Sequence, residues 1–218
     1  MPELLAVYRK LRNHYGSRDW WPAETPFEVI IGAILTQNTN WNNVEKAIAN
    51  LRQVDALTLD AIRQLNREML EQLIRPSGFF RQKAERLQLF CHHIKEQHNN
   101  SLDHLFAQPL DRVRDELLKL KGIGPETADS ILLYAGQFPS FVVDSYTNRL
   151  FQRLGLLTGK EKYAAVRTLF MENLPCEISL YNEYHALIVL HCKEFCRKTP
   201  RCQGCPCTDI CLERQQNC

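Results

Sequence analysis

The sequence predicts an all-α fold, and three observations support that prediction. Apolar residues recur at intervals of three and four along much of the 218-residue chain, which is the spacing of one face of an α-helix. Alternation of β-branched and polar residues is nearly absent, and glycine is sparse, with nine residues. Segments rich in glycine, proline and serine separate the apolar stretches. We therefore expect about ten helices and no sheet.

The predicted helices follow one another along the whole chain. Apolar residues with helical spacing run from Phe27 to Leu35 and again from Val44 to Leu51. Four later segments have the same spacing: Leu110–Leu120, Ile131–Ala135, Leu150–Leu154 and Leu187–Leu190. The segments Arg75–Gly78, Lys121–Pro125 and Phe138–Ser140 have turn composition. The one strand-like run, Phe141–Val143, is too short to build a sheet.

The composition is that of a globular protein and gives little indication of a partner. Hydrophobic residues make up 44% and charged residues 24%, and the net charge is only +2. Contact with nucleic acid would therefore depend on a local basic patch. The longest apolar run, Val29–Leu35, has seven residues, whereas a membrane-spanning helix needs about 20. No signal-peptide core follows Met1, so we expect a cytoplasmic protein without membrane contact.

The segment Leu117–Asp129 contains the most informative pattern. An amphipathic helix is predicted to end at Lys121, and two glycines then flank Ile123. A second helix is predicted to begin with Pro125 at its first position. Glycines permit positive φ and a close approach of the backbone to a ligand, and the first N–H groups of the second helix can donate to a phosphate. Such a hairpin holds a sugar-phosphate backbone without reading its sequence, although a simple helical hairpin has the same pattern.

The cysteines are concentrated at the C-terminus. Seven of the nine lie between Cys192 and Cys218. Clustering at one end favours a metal or iron–sulfur site over a disulfide scaffold. A zinc ribbon usually pairs two C-x-x-C motifs, whereas this tail has one, from Cys202 to Cys205. The cysteine pattern alone therefore does not decide between a zinc ion and an iron–sulfur cluster.

Several motifs together resemble the helix-hairpin-helix DNA glycosylases related to endonuclease III. They include L-K-G-I-G-P-E-T-A at the hairpin and V-D-S-Y from Val143 to Tyr146. They also include I-L-T-Q-N-T from Ile34, S-G-F-F with Lys83-Ala84, and the terminal cysteines. The resemblance covers nearly the whole chain. It implies an enzyme of base excision repair that binds double-stranded DNA containing a damaged base, flips that base out and cleaves its N-glycosidic bond.

The resemblance also implies two helical lobes. A six-helix domain would span residues 18–138 and contain the hairpin at about 112–136. Residues 1–17 and 139–218 would form the second lobe, with the cysteine loop at 192–211. We expect a monomer with the DNA groove between the lobes. Hairpin residues expected to contact DNA are Lys121, Gly122, Ile123, Gly124 and Thr127.

Asp144 is the expected catalytic carboxylate. Cleavage of an N-glycosidic bond builds positive charge on the sugar, which a nearby carboxylate stabilises, and the carboxylate can also orient water. An aspartate at this position could equally be a helix cap. Bifunctional relatives have a lysine two residues after the second glycine, where this chain has Glu126. Because a carboxylate cannot form the imine of a lyase, the sequence predicts a monofunctional glycosylase.

Further motifs resemble the 3-methyladenine DNA glycosylase branch. They are Trp20-Trp21-Pro22, the string from Leu35 to Trp41, Arg75–Phe79 and Glu126. An alkylated purine is cationic and is attracted to an aromatic face. Trp20, Trp21 and Trp41 are therefore candidate walls of the base pocket, although tryptophans are more often packing residues. The resemblance also implies that Gln37 fills the gap left by the flipped base and that Glu126 contacts the base or the water.

The same resemblance implies a [4Fe–4S] cluster bound by Cys196, Cys202, Cys205 and Cys211. The first gap has five residues where endonuclease III has six, so Cys192 is a competing candidate. Three alternatives stay open: an endonuclease III-type glycosylase and lyase for oxidised pyrimidines, a non-catalytic hairpin protein that only holds DNA, and an iron–sulfur redox protein.

Overall fold

A computed structural model describes residues 2–18 and 23–213. The described residues form twelve α-helices and no strand, which confirms the predicted all-helical class. The helices are α1 Pro2–Tyr15, α2 Pro26–Leu35, α3 Trp41–Gln53, α4 Leu59–Gln64, α5 Arg67–Leu73, α6 Phe80–Gln97, α7 Leu102–Phe106, α8 Leu110–Lys119, α9 Pro125–Ser130, α10 Ser145–Arg153, α11 Tyr163–Asn173 and α12 Ile178–Glu194. A 3₁₀ turn spans Arg75–Ser77, and a π-helical segment, Ile131–Ala135, continues α9. None of the described helices is long and apolar enough to span a membrane.

The chain divides into two compact units, one of residues 21–138 and the other of residues 1–20 and 139–218. In the 21–138 unit, α2 is central and packs against α3, α6 and α9 with its π-helical continuation. Thr25 caps α2 by accepting from the backbone N–H of Glu28 at 3.2 Å. Glu28 is itself buried and accepts from Arg52 at 2.7 Å, so the charge is paired.

The second unit is built around α12, against which α1 and α10 pack. Its core is aromatic: the rings of Phe141 and Phe170 stack at 4.2 Å, and the Tyr184 ring packs edge-on to Phe141. The buried Tyr184 hydroxyl donates to the Leu4 carbonyl at 2.6 Å and so attaches α1. Phe141–Val143, the strand-like run, is a buried irregular segment that leads directly into Asp144.

Two details of the hairpin differ from the sequence-based expectation. Helix α8 ends at Lys119 rather than Lys121, because Leu120 adopts an extended conformation with ψ of 128°. Lys121 therefore lies in the turn. Gly122 has a positive φ of 84°, as expected, whereas Gly124 has φ of −89° and is the N-cap of α9. Only the first glycine is required by the backbone conformation.

A bidentate ion pair fixes the two helices of the hairpin to each other. Arg114 on α8 donates through Nε and Nη2 to the two carboxylate oxygens of Asp129 on α9, at 2.8 and 3.0 Å. Asp129 is fully buried, so its charge is removed from water. Such a pair is costly to break because the remaining charge has lost its main counter-charge.

Replacing Arg114 by alanine should lower the free energy of unfolding by about 3 kcal/mol. The exposed neighbour Arg112 on the same helix provides the control, and Arg112→Ala should change stability by less than about 0.5 kcal/mol. Urea denaturation of both variants measures the difference. Equal stabilities would show that the ion pair does not hold the hairpin together.

Candidate functional site

Asp144 lies immediately before α10 and is its N-cap. Its backbone is extended, with φ of −119°, and its Oδ1 accepts from the backbone N–H of Thr147 at 2.7 Å and from the Thr147 hydroxyl at 2.9 Å. The carboxylate thus faces the positive end of the α10 dipole. Asp144 therefore caps α10 through Oδ1. Because neither hydrogen bond from Thr147 uses Oδ2, the capping role is compatible with a catalytic one.

His185 on α12 approaches the other carboxylate oxygen. Its Nε2 lies 3.5 Å from Oδ2 of Asp144, a separation for an ion pair rather than a tight hydrogen bond. Burial raises the pKa of Asp144, but the interaction with His185 and the hydrogen bonds from Thr147 outweigh it, so the pKa lies below its ordinary value of 3.8. Asp144 is therefore ionised at neutral pH although it is only 9% exposed.

Gln37 follows α2 and braces the hairpin turn. Its side-chain nitrogen donates to the Gly122 carbonyl at 3.1 Å and to the Thr127 hydroxyl at 2.9 Å, and its oxygen accepts from Arg86. The structure thereby brings together Gln37, which we expect to fill the gap left by the flipped base, and Gly122 and Thr127, which we expect to contact DNA. Ile123 between the glycines is buried and anchors the turn in the core.

The other predicted site residues of this unit lie at exposed or partly exposed positions. Glu126 is the second residue of α9 and is exposed, and the exposed Lys121 pairs with Glu85 at 2.6 Å. Trp41 is the first residue of α3, and its indole N–H donates to Glu45 one turn later at 2.8 Å. Trp20 and Trp21 lie outside the described residues.

The segment before α6 presents a feature that the sequence analysis quoted but did not interpret. Phe79 is 63% exposed and has a left-handed backbone, with φ of 46°, directly after Gly78 with φ of 67°. An exposed aromatic ring on a strained backbone is unusual and marks a functional candidate. In the sequence, the feature that indicates this residue is the pair Phe79-Phe80 directly after Gly78.

A buried lysine connects the Phe79 segment to the Gln37 segment. The Nζ of Lys83 donates to the carbonyls of Leu35 and Ser77 at 2.8 and 2.7 Å. Leu35 ends α2 two residues before Gln37, and Ser77 lies two residues before Phe79. Burial, with a smaller contribution from Arg86, lowers the pKa of Lys83 to about 8. The ammonium is still mostly protonated at neutral pH and fixes both segments.

The four predicted cluster ligands line one concave region, together with Arg153 and His191. They are Cys196, Cys202, Cys205 and Cys211. A hydrogen bond from Cys192, with Arg153 nearby, lowers the pKa of the Cys196 thiol to about 6. A hydrogen bond from Cys207 and the approach of His191 lower that of Cys205 to about 4. Both therefore favour the thiolate, the form that binds metal.

None of these four thiols belongs to a group of three potential ligand atoms within 4.8 Å of one another among the described residues. Four thiolates about 2.3 Å from zinc lie roughly 3.8 Å from one another. Among residues 2–18 and 23–213, only His93, His98 and Glu116 place three potential ligand atoms within 4.8 Å of one another.

The family comparison matches most of the chain. The model for "HhH-GPD superfamily base excision DNA repair protein" matches residues 31–176. The chain is 48% identical over 210 residues to "Putative DNA repair glycosylase MJ1434" of Methanocaldococcus jannaschii, covering 95% of each protein. It is also 30% identical over 193 residues to endonuclease III of Escherichia coli K12, covering 88% of this chain and 86% of that protein.

Solved structures show the same fold. An endonuclease III–DNA complex matches with a TM-score of 0.84 at 24% identity, covering 99% of this chain and 96% of that one. The H. pylori 3-methyladenine DNA glycosylase (MagIII) bound to 1,N6-ethenoadenine matches with a TM-score of 0.75 at 30% identity, covering 88% and 96%. Similar proteins thus include representatives of both branches considered in the sequence analysis.

His185→Leu should raise the pKa of Asp144, because the substitution removes the interaction with His185 that lowers this pKa and leaves the carboxylate buried. In the wild type, ionised Asp144 stabilises the fold above pH 3.8, and this contribution is lost as the pH falls through the lowered pKa. The ¹³C carboxyl shift of Asp144, assigned with Asp144→Asn, measures both titrations. The exposed Asp209, which pairs with Lys10 instead, should titrate alike in both proteins. An unchanged Asp144 titration would show that His185 does not set its charge.

Proposed function

The chain belongs to the HhH-GPD superfamily of base excision DNA repair proteins, and we propose that it is a monofunctional glycosylase for alkylated purines such as 3-methyladenine. As a DNA glycosylase of this superfamily it cleaves the bond between a base and its deoxyribose. The observation that carries the finer proposal is the ionised carboxylate of Asp144 in a chain that has Glu126 where a lyase needs an amine. We propose that it acts as a monomer on double-stranded DNA.

Three neighbouring segments would hold the DNA. The hairpin turn at Gly122–Gly124 can approach the phosphate backbone closely at Gly124, where the space beside Cα is open, whereas the Arg86 side chain fills the corresponding space at Gly122. Gln37 is held against this turn, and Lys83 connects its segment to that of Phe79. An exposed ring on a rigid segment suits insertion between base pairs, where apolar side chains unstack DNA. Gln37 and Phe79 would then occupy the space from which the damaged base is flipped.

Asp144 would stabilise the positive charge that develops on the sugar as the base departs. A carboxylate with a lowered pKa is a weak general base, so orientation of a water molecule and electrostatic stabilisation are its stronger contributions. The hydrogen bonds from Thr147 keep Oδ1 in place, and His185 stands beside Oδ2. The two oxygens therefore have fixed directions before the substrate arrives.

The protonation state of Asp144 also favours one class of substrate. An ionised carboxylate cannot donate a proton to the departing base. A purine alkylated on a ring nitrogen already carries a positive charge, so it departs as a neutral base without protonation. Its glycosidic bond is weakened by the same charge, and a site with one ionised carboxylate suffices. A tryptophan wall, from Trp20, Trp21 or Trp41, would attract such a base by stacking and cation–π contact.

A lyase mechanism lacks a suitable amine in this chain. Glu126 cannot form an imine and would instead contact the base or the attacking water. Lys121 is exposed but pairs with Glu85. Lys83 has a lowered pKa, as imine-forming lysines do, but its side chain is buried beneath the segments that it connects. An endonuclease III-type activity on oxidised pyrimidines is the second candidate, favoured only by the endonuclease III relatives.

We further propose that Cys196, Cys202, Cys205 and Cys211 bind a [4Fe–4S] cluster. The thiols line one concave region and two of them favour the thiolate form. The cluster would supply a structural crosslink of the C-terminal loop. Arg149 and Arg153 already donate to the backbone of that loop, at Cys196 and Arg197. The exposed Arg197, Lys198 and Arg201 would then meet phosphate groups.

Asp144→Asn tests the catalytic assignment. Asparagine also caps helices, so the variant should fold and bind DNA while the rate of base release falls roughly 100-fold or more. Single-turnover release of 3-methyladenine from alkylated duplex DNA measures the rate. Asp111→Asn, an exposed carboxylate at the start of α8, is the control and should retain full activity. Unchanged release by Asp144→Asn would place the catalytic carboxylate elsewhere.

Purified protein should be brown and contain about four iron and four sulfide ions per chain. Cys211→Ser should lower the iron content and broaden thermal unfolding, whereas Cys176→Ser, at an exposed cysteine outside the loop, should change neither. Elemental analysis and the visible absorption spectrum measure both. Colourless protein with one zinc ion in the cysteine loop would rule out the cluster.

A further inference from the structure

Two histidines and one glutamate converge within the 21–138 unit, apart from the residues assigned to DNA and to catalysis. We propose that His93, His98 and Glu116, the histidine–glutamate cluster, bind a divalent transition metal ion, with zinc the best match. Their ligand atoms all lie within 4.8 Å of one another, and no other group of three potential ligands in the described residues does so.

Three neighbouring elements place these side chains together. His93 lies in the last part of α6, and His98 is the residue at which α6 ends. The chain then reverses through Asn99 and Asn100, both with positive φ, and Ser101 caps α7. Helix α8 follows and places Glu116 opposite the end of α6. His98 leaves the helical conformation, with φ of −129°, and the reversal that follows it brings Glu116 to the two histidines.

Both histidines point the same ring nitrogen at one oxygen. The Nε2 atoms of His93 and His98 each lie 2.5 Å from Oε1 of Glu116. The rings meet edge to face, with centroids 5.8 Å apart, so both nitrogens can face a common point. His98 is 8% exposed, whereas His93 and Glu116 keep 23% and 22% of their side chains exposed. An ion can therefore enter from solvent and reach a partly buried site.

The donor set fits zinc chemistry. Two imidazole nitrogens and one carboxylate are a recurrent set of three protein ligands for zinc, with a further position for water. Tetrahedral ligands about 2.0–2.2 Å from the ion lie roughly 3.3 Å apart. Each Nε2 now lies 2.5 Å from Oε1 and would move away from it by about 1 Å. The partly exposed His93 ring and Glu116 carboxylate have room for that movement.

Gln108 holds the glutamate in place. Its side-chain nitrogen, in the link between α7 and α8, donates to Oε2 of Glu116 at 3.4 Å and to the Leu105 carbonyl at 3.5 Å. The other oxygen of Glu116, Oε1, is the one that faces both histidines.

The site would crosslink α6 to α8. Helix α8 also contains Arg114, which holds Asp129 of α9, and it ends at the hairpin turn. An ion at Glu116 would therefore fix the helix that leads to the hairpin. Because a histidine binds zinc through a deprotonated ring nitrogen, the affinity for zinc should fall as the solution is made more acidic.

Zinc binding to the holoprotein, with its full iron content verified beforehand, tests the proposal. Equilibrium dialysis against zinc chloride, followed by elemental analysis, measures zinc per chain for the wild type, His93→Gln and His92→Gln. His92 is the exposed neighbour on the same helix and serves as the matched control. Wild type and His92→Gln should each bind one zinc ion more per chain than His93→Gln does. If His93→Gln still binds this ion, its affinity for zinc should be at least tenfold lower. Zinc should also raise the melting temperature of those two proteins only.

Zinc at the cysteine loop would be unaffected by His93→Gln, so the two kinds of site are distinguished. His93 is partly exposed, and His93→Gln should melt at the wild-type temperature in EDTA. Glu116→Gln provides a second variant with the same expected loss of zinc. Equal zinc content and equal thermal shifts in wild type and His93→Gln would overturn the proposal and leave the cluster a hydrogen-bonded trio.

Discussion

The charge of Asp144 is the constraint on which the rest of the proposed site depends. Asp144 is only 9% exposed, and burial of a carboxylate raises its pKa because it removes the charge from water. Here the Thr147 hydrogen bonds, the positive end of α10 and His185 keep it ionised. These partners come from two helices, α10 and α12, that the aromatic core holds in place. The packing that holds α10 and α12 together therefore also keeps Asp144 ionised.

A second buried charge organises the other unit. Lys83 retains an ammonium beneath the surface by donating to carbonyls at the ends of two segments, one leading to Gln37 and the other to Phe79. The cost of burying this charge is offset by hydrogen bonds that a shorter side chain could not reach. Gln37 in turn holds the hairpin turn through Gly122 and Thr127. One continuous set of polar contacts thus positions the hairpin, the glutamine and the exposed phenylalanine.

Local sequence signals predicted the features that depend on local structure. The helical class, the positive φ of Gly122, Pro125 at the start of α9 and the cap at Asp144 all follow from spacing and residue type. His185 and Lys83 could not be assigned in that way, since Asp144 lies 41 residues from His185 and Leu35, one of the two partners of Lys83, lies 48 residues from it. The early end of α8 depends on the backbone of Leu120, for which leucine has no distinctive preference. Phe79 could not be identified as a site residue from the sequence, because a phenylalanine beside another is more often a core residue. Its exposure is known only from the structure.

The central claim is that water, rather than a lysine, cleaves the bond to a base that is already cationic. Its most direct test is to incubate the wild-type protein and borohydride with two matched duplexes, one containing 3-methyladenine and the other an oxidised pyrimidine. The account predicts release of free 3-methyladenine, an intact strand at the abasic site and no covalent protein–DNA adduct with either duplex. Release of the oxidised pyrimidine, with strand cleavage and a borohydride-trapped adduct that persists in Lys121→Ala, would contradict it.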